Sequence, residues 1–83
     1  MKLKNNIKKE IIKILNKFGF VDKNTSVHFN FIESGFIDSL NLLKFITIIE
    51  KKYNIHLDNK YTSSKKFGEL GNLIEKVYTL KKK

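Results

Sequence analysis

The chain has no cysteine, no proline and no tryptophan, and neither arginine nor alanine occurs among its 83 residues. Without cysteine there can be no disulfides and no thiolate metal ligands. The two histidines, His28 and His56, are too few to build a histidine-based zinc site unaided. Metal binding as a principal role is therefore set aside. The missing arginine bears on the net charge of +9, which is carried entirely by 17 lysines against eight acids. Arginine is the side chain that forks onto phosphates and guanine edges, so its absence argues against a specialised reader of bases. The wealth of Lys, Ile and Asn is the bias an AT-rich coding sequence produces, and part of the basicity follows from it. Long apolar runs are missing too. Lysines interrupt the first segment, "MKLKNNIKKEIIKIL", which has neither the continuous core of a signal peptide nor the ~20 apolar residues of a membrane span. The expectation is a cytoplasmic, monomeric protein without stable membrane insertion.

A chain of this length makes one small domain over residues 1–83, with a modest core and little room for a large cleft. Its charge is uneven. Residues 1–18 hold six lysines against one glutamate, and residues 59–83 hold seven lysines against two. Residues 19–38, with one lysine against three acids, are the only net-acidic segment.

Hydrophobic spacing predicts three long helices and a short one, an all-α four-helix bundle. In residues 3–18, Leu3, Ile7, Ile11, Ile14, Leu15 and Phe18 recur at spacings of three and four, lysines occupy the other faces, and Gly19 is the expected stop. Residues 39–53 place Leu42, Phe45, Ile46, Ile49 and Tyr53 on one face. The last helix is expected from Phe67 to Leu80, with Phe67, Leu70, Ile74 and Val77 inward, Leu73 and Tyr78 flanking, and Gly68 and Gly71 weakening it. The closing "KKK" reads as a solvated tail at a helix end that favours positive charge. Residues 59–65 have room for one further helical turn. Between the first two helices, Val27, Phe29 and Phe31 alternate as a strand would, and so do Ile55 and Leu57. A lone two-stranded ribbon is marginal in water, and Asn, Asp, Ser and Gly flank both pieces. A long loop that pins its aromatics onto the helices is the preferred reading, and loops that long usually have a function.

At the doorway of the second helix stands "ESGFIDSL", residues 33–40. Asp38 is a favoured N-cap, with Asn41 three positions on, so the helix is expected to begin at Ser39. Gly35 permits a sharp turn through positive φ. The hydroxyl of Ser39 would then be exposed at the positive end of a helix dipole, a place suited to a phosphate ester. A catalytic nucleophile is disfavoured: this is no G-x-S-x-G elbow, and neither histidine has a recognisable triad acid. A plain capping serine is the alternative without chemistry. Leu40 and Leu43 fall outside the core stripe, beside Ser39; either the helix buries two sides or these residues form a docking surface.

The run Gly35-Phe36-Ile37-Asp38-Ser39-Leu40 resembles the phosphopantetheine attachment motif of acyl and peptidyl carrier proteins, G-x-x-D-S-L, with Gly35, Asp38, Ser39 and Leu40 in place. Downstream, "IIEKKYNIHL" resembles the E-x-x-F-x-I-x-[IL] segment of that family, with Tyr53 in the aromatic position. The specific match covers roughly residues 31–58. The resemblance implies a four-helix bundle with a long first loop and the modified serine at the start of helix two. It further implies that Ser39 receives phosphopantetheine from coenzyme A through a phosphodiester, added by a phosphopantetheinyl transferase whose metal Asp38 helps engage. The protein would then be no enzyme itself. It would carry an acyl or aminoacyl group as a thioester and deliver it to an adenylating ligase or to acyl-transferring and condensing enzymes in lipid or secondary-metabolite biosynthesis. Leu40 and Leu43 would be partner contacts, with Phe36, Lys44 and Thr47 beside them. Carriers of bulk fatty-acid synthesis are similar in having an acidic second helix, whereas this chain has Asn41, Lys44 and Lys51, which points to dedicated partners with less basic docking sites. The stretch is also similar to stand-alone carriers that serve an amino-acid-activating ligase, such as D-alanyl carrier proteins. Aromatic bulk at Phe45, Tyr53, Tyr61 and Phe67 favours short or aminoacyl cargo. Two other functions compete: a basic helical domain that binds nucleic acid through its lysine-rich ends, and an unmodified carrier-like adaptor.

Overall fold

The structure, a computed structural model, describes residues 2–82. Among the described residues there are four helices and no strand: α1 (Lys2–Leu15), α2 (Ser39–Tyr53), α3 (Asn59–Thr62) and α4 (Leu70–Lys82). This is the expected all-α bundle of three long helices and one short one, with a long loop between α1 and α2.

Helix α1 buries Ile7, Ile11, Ile14 and Leu15, as their spacing predicts, and Ile12 as well. The wider apolar face follows from position, because α1 packs against both α4 and α2. Asn16, and not Gly19, ends the helix. The Asn16 side-chain amide donates to the Ile12 carbonyl (2.9 Å) and the Val21 carbonyl (3.0 Å), while its Oδ1 accepts the Val21 amide (3.1 Å). The Ile12 carbonyl, which also accepts the Asn16 main-chain amide at 3.0 Å, thus gains a second donor, and the exchange turns the chain toward Val21, which is buried. The amides of Lys17 and Phe18 reach back only three residues, so the last turn tightens.

The loop over 16–38 is ordered by its own short polar side chains, which recur every fourth residue. Asp22 accepts the amide of Asn24, Ser26 that of His28, Asn30 that of Ile32, and Ser34 that of Phe36. Each closes a small local turn of the kind Asp, Asn and Ser favour. The next residue in the series is Asp38, the cap of α2.

Between these turns the loop sends Phe31 into the centre of the molecule, fully buried. Its ring stands edge-on to Phe45 of α2 (centroids 5.2 Å apart) and to Phe67, just before α4 (5.7 Å). Phe18 against Phe45 and Tyr61 against Phe67 extend the series to five rings. Edge-to-face pairs of this kind each contribute about 0.5–1.5 kcal/mol beyond the area they bury.

The alternating piece Val27–Phe31 does not pair with Ile55–Leu57. It pairs with the start of α4. Phe31 donates its amide to the Gly68 carbonyl (2.9 Å), Leu70 to that of Phe29 (2.9 Å) and Gly71 to that of Val27 (2.7 Å), around a single antiparallel bridge between Asn30 and Glu69. Two first-turn amides of α4, which have no partner within the helix, are thus satisfied by the loop. This is why α4 begins at Leu70 and not at Phe67. Gly68 lies outside the helix with φ +124°, and a Cβ there would sit 2.8 Å from Asn30 Oδ1. At Gly71 a Cβ would meet the Val27 carbonyl oxygen and Cβ at 3.1 Å. The two glycines therefore admit the loop and do not merely weaken a helix.

Along α4, Leu70, Leu73, Ile74 and Val77 are buried, so Leu73 belongs to the core and does not flank it. The single helical turn expected within 59–65 is α3, Asn59–Thr62, capped by Asp58. Of the terminal lysines, Lys81 is exposed and Lys83 lies outside the described residues. Two phenols partner across elements: Tyr53 donates to Glu10 Oε1 (2.6 Å) and Tyr61 to Asn72 Oδ1 (2.8 Å). Burial pushes the Tyr61 phenol up to about 12. Burial, then the hydrogen bond to Glu10 and its charge, raise Tyr53 as well.

Gly68→Ala is expected to lower stability by about 1–3 kcal/mol through backbone strain and the clash with Asn30, read from urea unfolding midpoints. A second expectation concerns alkaline pH. The folded state holds the Tyr61 proton more tightly than an unfolded phenol of pKa 10.0, so its contribution is complete below that pH and is lost as pH rises through about 12. Tyr61→Phe should therefore lose less stability over that interval than the parent, and equal losses would refute the assignment.

Candidate functional site

Helix α2 begins at Ser39, as its capping residues predict. Asp38 has an extended backbone (φ −85°, ψ 172°), its Oδ1 accepts the Asn41 amide at 2.8 Å, and its carbonyl accepts the Leu42 amide at 2.8 Å. Asn41 thus contributes its main chain to the cap. The amides of Ser39 and Leu40, the Ser39 hydroxyl and the second Asp38 oxygen make no hydrogen bond among the described residues. Asp38, Ser39 and Leu40 are all exposed. A 15-residue helix directs its positive end at this hydroxyl.

What holds the hydroxyl in place lies just upstream. Gly35 adopts φ +78° with open space around it, so the left-handed turn, and not crowding, calls for glycine. Ile37 is buried and donates its amide to the Phe31 carbonyl at 3.0 Å. Ser39 therefore stands two residues from an anchor tied to the central ring of the core. Phe36 is half-buried, edge-on to Phe29 at 5.8 Å, and its ring lies over Gly19.

Of the residues assigned to partner contacts, Leu40 and Leu43 are 70% and 67% exposed, and Lys44 and Thr47 are exposed beside them. Leu43, Lys44, Thr47 and Ile48 line an open, mostly apolar hollow of about 430 Å³. The two leucines thus lie outside the core, and α2 does not bury a second side at its start. Phe36 faces partly inward. Sequence reasoning passed over Phe20, which is 83% exposed and follows the glycine against which Phe36 packs. It has no periodic partner in the sequence; only its place immediately after a helix stop signals it.

The histidines are held elsewhere. His56 Nδ1 lies 3.3 Å from Glu50 Oε2, beyond the far end of α2 from Ser39, and His28 Nδ1 lies 3.8 Å from Glu69 Oε2. Among the described residues, no group of three or more His, Asp or Glu is placed to hold a metal ion, and no helix is long and apolar enough to cross a membrane. Comparison with protein-family models, curated proteins and solved structures finds no match. A functional reading therefore rests on the residues at the start of α2.

Because the Asp38 carboxylate caps α2 and the Ser39 hydroxyl bonds nothing in the described residues, the two substitutions should separate. Asp38→Ala is expected to cost about 1 kcal/mol and to speed hydrogen exchange at the Asn41 amide. Ser39→Ala should stay within about 0.5 kcal/mol of the parent in urea unfolding.

Proposed function

We propose that the chain is a carrier protein whose Ser39 accepts a phosphopantetheine arm from coenzyme A. The observation that carries this reading is the exposed, unpartnered Ser39 hydroxyl on the first residue of α2, within a run that resembles the attachment motif of acyl and peptidyl carriers. The group fits the position. A phosphodiester at Ser39 would meet the free amides of Ser39 and Leu40 at the positive helix end, where backbone donors favour an anion. In the transfer, the Ser39 hydroxyl gives up its proton to the solvent, its oxygen forms a bond to the phosphorus of the coenzyme A diphosphate that bears the pantetheine, the bridging P–O bond breaks, and the adenosine 3′,5′-bisphosphate portion leaves. Asp38 has one oxygen committed to the cap and a second available to the metal of the transferase.

The arm supplies a flexible thiol on which an acyl or aminoacyl group travels as a thioester, which suits a chain without cysteine. The fixed pedestal formed by Ile37 and Phe31 presents the hydroxyl away from the core. Leu40 and Leu43, with Lys44 and Thr47 beside them, form the surface that partner enzymes touch. Phe31, Phe45 and Phe67 are buried at the centre of the bundle, and half-buried Phe18 and Tyr61 end the series. That filling favours short or aminoacyl cargo that stays outside the bundle.

Incubation with coenzyme A and a broad-specificity phosphopantetheinyl transferase tests the reading. Intact-mass and peptide analysis should find one arm on the Ser39 peptide, and none in Ser39→Ala. A protein that stays unmodified would overturn the reading. In the same preparation, loading a medium-length acyl chain should leave amide shifts near the core rings unchanged, and shifts throughout the bundle would overturn the cargo preference.

A further inference from the structure

A trough runs along the seam between α1 and α2. Its floor is Ile14 and Ile48, and its rims carry Lys13 and Lys17 on one side and Lys52 on the other, enclosing about 500 Å³. At one end Ile48 joins it to the hollow that holds Leu43 and Lys44. At the other, Glu10 and Lys52 join it to a hollow of about 260 Å³ at Ile7 and Tyr53, where α4 adds Lys81.

Three features distinguish this seam from an ordinary solvated lysine face. The lysines border a concave apolar floor that unites two helices. No carboxylate neutralises them: Lys13, Lys17, Lys44, Lys52 and Lys81 form no ion pair among the described residues. The one acid along the trough, Glu10, accepts the Tyr53 hydroxyl through Oε1 at 2.6 Å, and the lysines outnumber it. Two of the lysines are also steadied, since Lys52 and Lys81 have their Nζ 6.0 and 5.8 Å from the centroid of the Tyr53 ring.

We propose that this seam docks an acidic amphipathic helix of a partner protein. A ridge of apolar side chains would lie on Ile48 and Leu43 above the buried Ile14, and carboxylates on its flanks would face the lysine rims, the arrangement used when a helix is laid in a groove. Helices α1 and α2, of 14 and 15 residues, give the seam a length of about 20 Å, enough for a partner helix of four turns. A bilayer is flat and would not reach the floor of the trough. A nucleic-acid backbone would gain nothing from the two isoleucines. This inference does not depend on Ser39, because the seam is complete in the unmodified chain.

The probe is a synthetic helical peptide of about 16 residues, long enough to fill four turns, with leucine at every third and fourth position and glutamate on the flanks. It is titrated into the full-length, methyl-labelled protein. Saturable binding is expected, with shifts concentrated at Ile14, Ile48 and Leu43 and affinity that falls with salt. The K13E/K17E/K52E variant should bind at least about tenfold more weakly, consistent with the loss of several complementary charges, and K13Q/K17Q/K52Q should fall between, both at an unchanged thermal midpoint. Equal binding of a peptide with glutamine in place of glutamate, shifts that map elsewhere, or absence of saturable binding would each overturn the proposal. So would tighter binding of phosphatidylglycerol vesicles or a DNA duplex through the same residues.

Discussion

The contact on which the rest of the molecule depends is the burial of Phe31, a residue of the connecting loop, between Phe45 and Phe67. Helix α1 packs on both α4 and α2. The ring of Phe31 ties the loop to α2 on one side and to the approach to α4 on the other. Its main chain works in the same place. The Phe31 amide is bonded to Gly68 and its carbonyl to Ile37, so one residue fixes both the entry to α4 and the entry to α2. A glycine at position 68 is needed because the backbone there adopts φ +124° and the Asn30 side chain comes within 2.8 Å of where a side chain would begin.

The same constraint explains why a small domain devotes so much chain to a connection. Turns closed by Asp22, Ser26, Asn30 and Ser34 satisfy local amides without help from a sheet or helix. That order lets the loop insert a large ring and then release the chain at Asp38 in the extended conformation a helix cap requires. Ser39 is exposed and yet well positioned because its support is two residues away and buried, while its own side chain supports nothing.

Charge divides the surface in two. The segment that leads to Ser39 is net acidic, and the seam along α1 and α2 is lined by lysines that outnumber its one acid, Glu10. The first is proposed for a phosphate ester held by the backbone amides of a helix start and not by side-chain charge, and the second for an acidic partner. Both uses call for the same rigid bundle, since neither an exposed hydroxyl nor a shallow trough defines a site unless the helices beneath it hold their spacing.

Helix positions and the start of the site were legible in the sequence because the rules that set them act within about one turn. Periodicity placed Ile7, Ile11, Phe45, Ile49, Leu70 and Val77 inside, and the Asp38 cap set the first residue of α2. Leu40 and Leu43 could be placed beside the core stripe by the same means, though not whether solvent or protein covered them. Where periodicity misled, a distant residue was responsible. Gly68 and Gly71 read as helix-weakening residues until the loop that needs them is seen, and for Val27–Phe31 the sequence offered only Ile55–Leu57 as a piece of similar pattern to pair with. Only the tertiary structure decided that the loop pairs with α4, that Phe31 is the centre of the core, and that lysines from three helices gather along one seam. Spacing and capping are properties of a few neighbouring residues, whereas those arrangements join residues tens of positions apart, and which of them meet is settled by the packing of the whole chain.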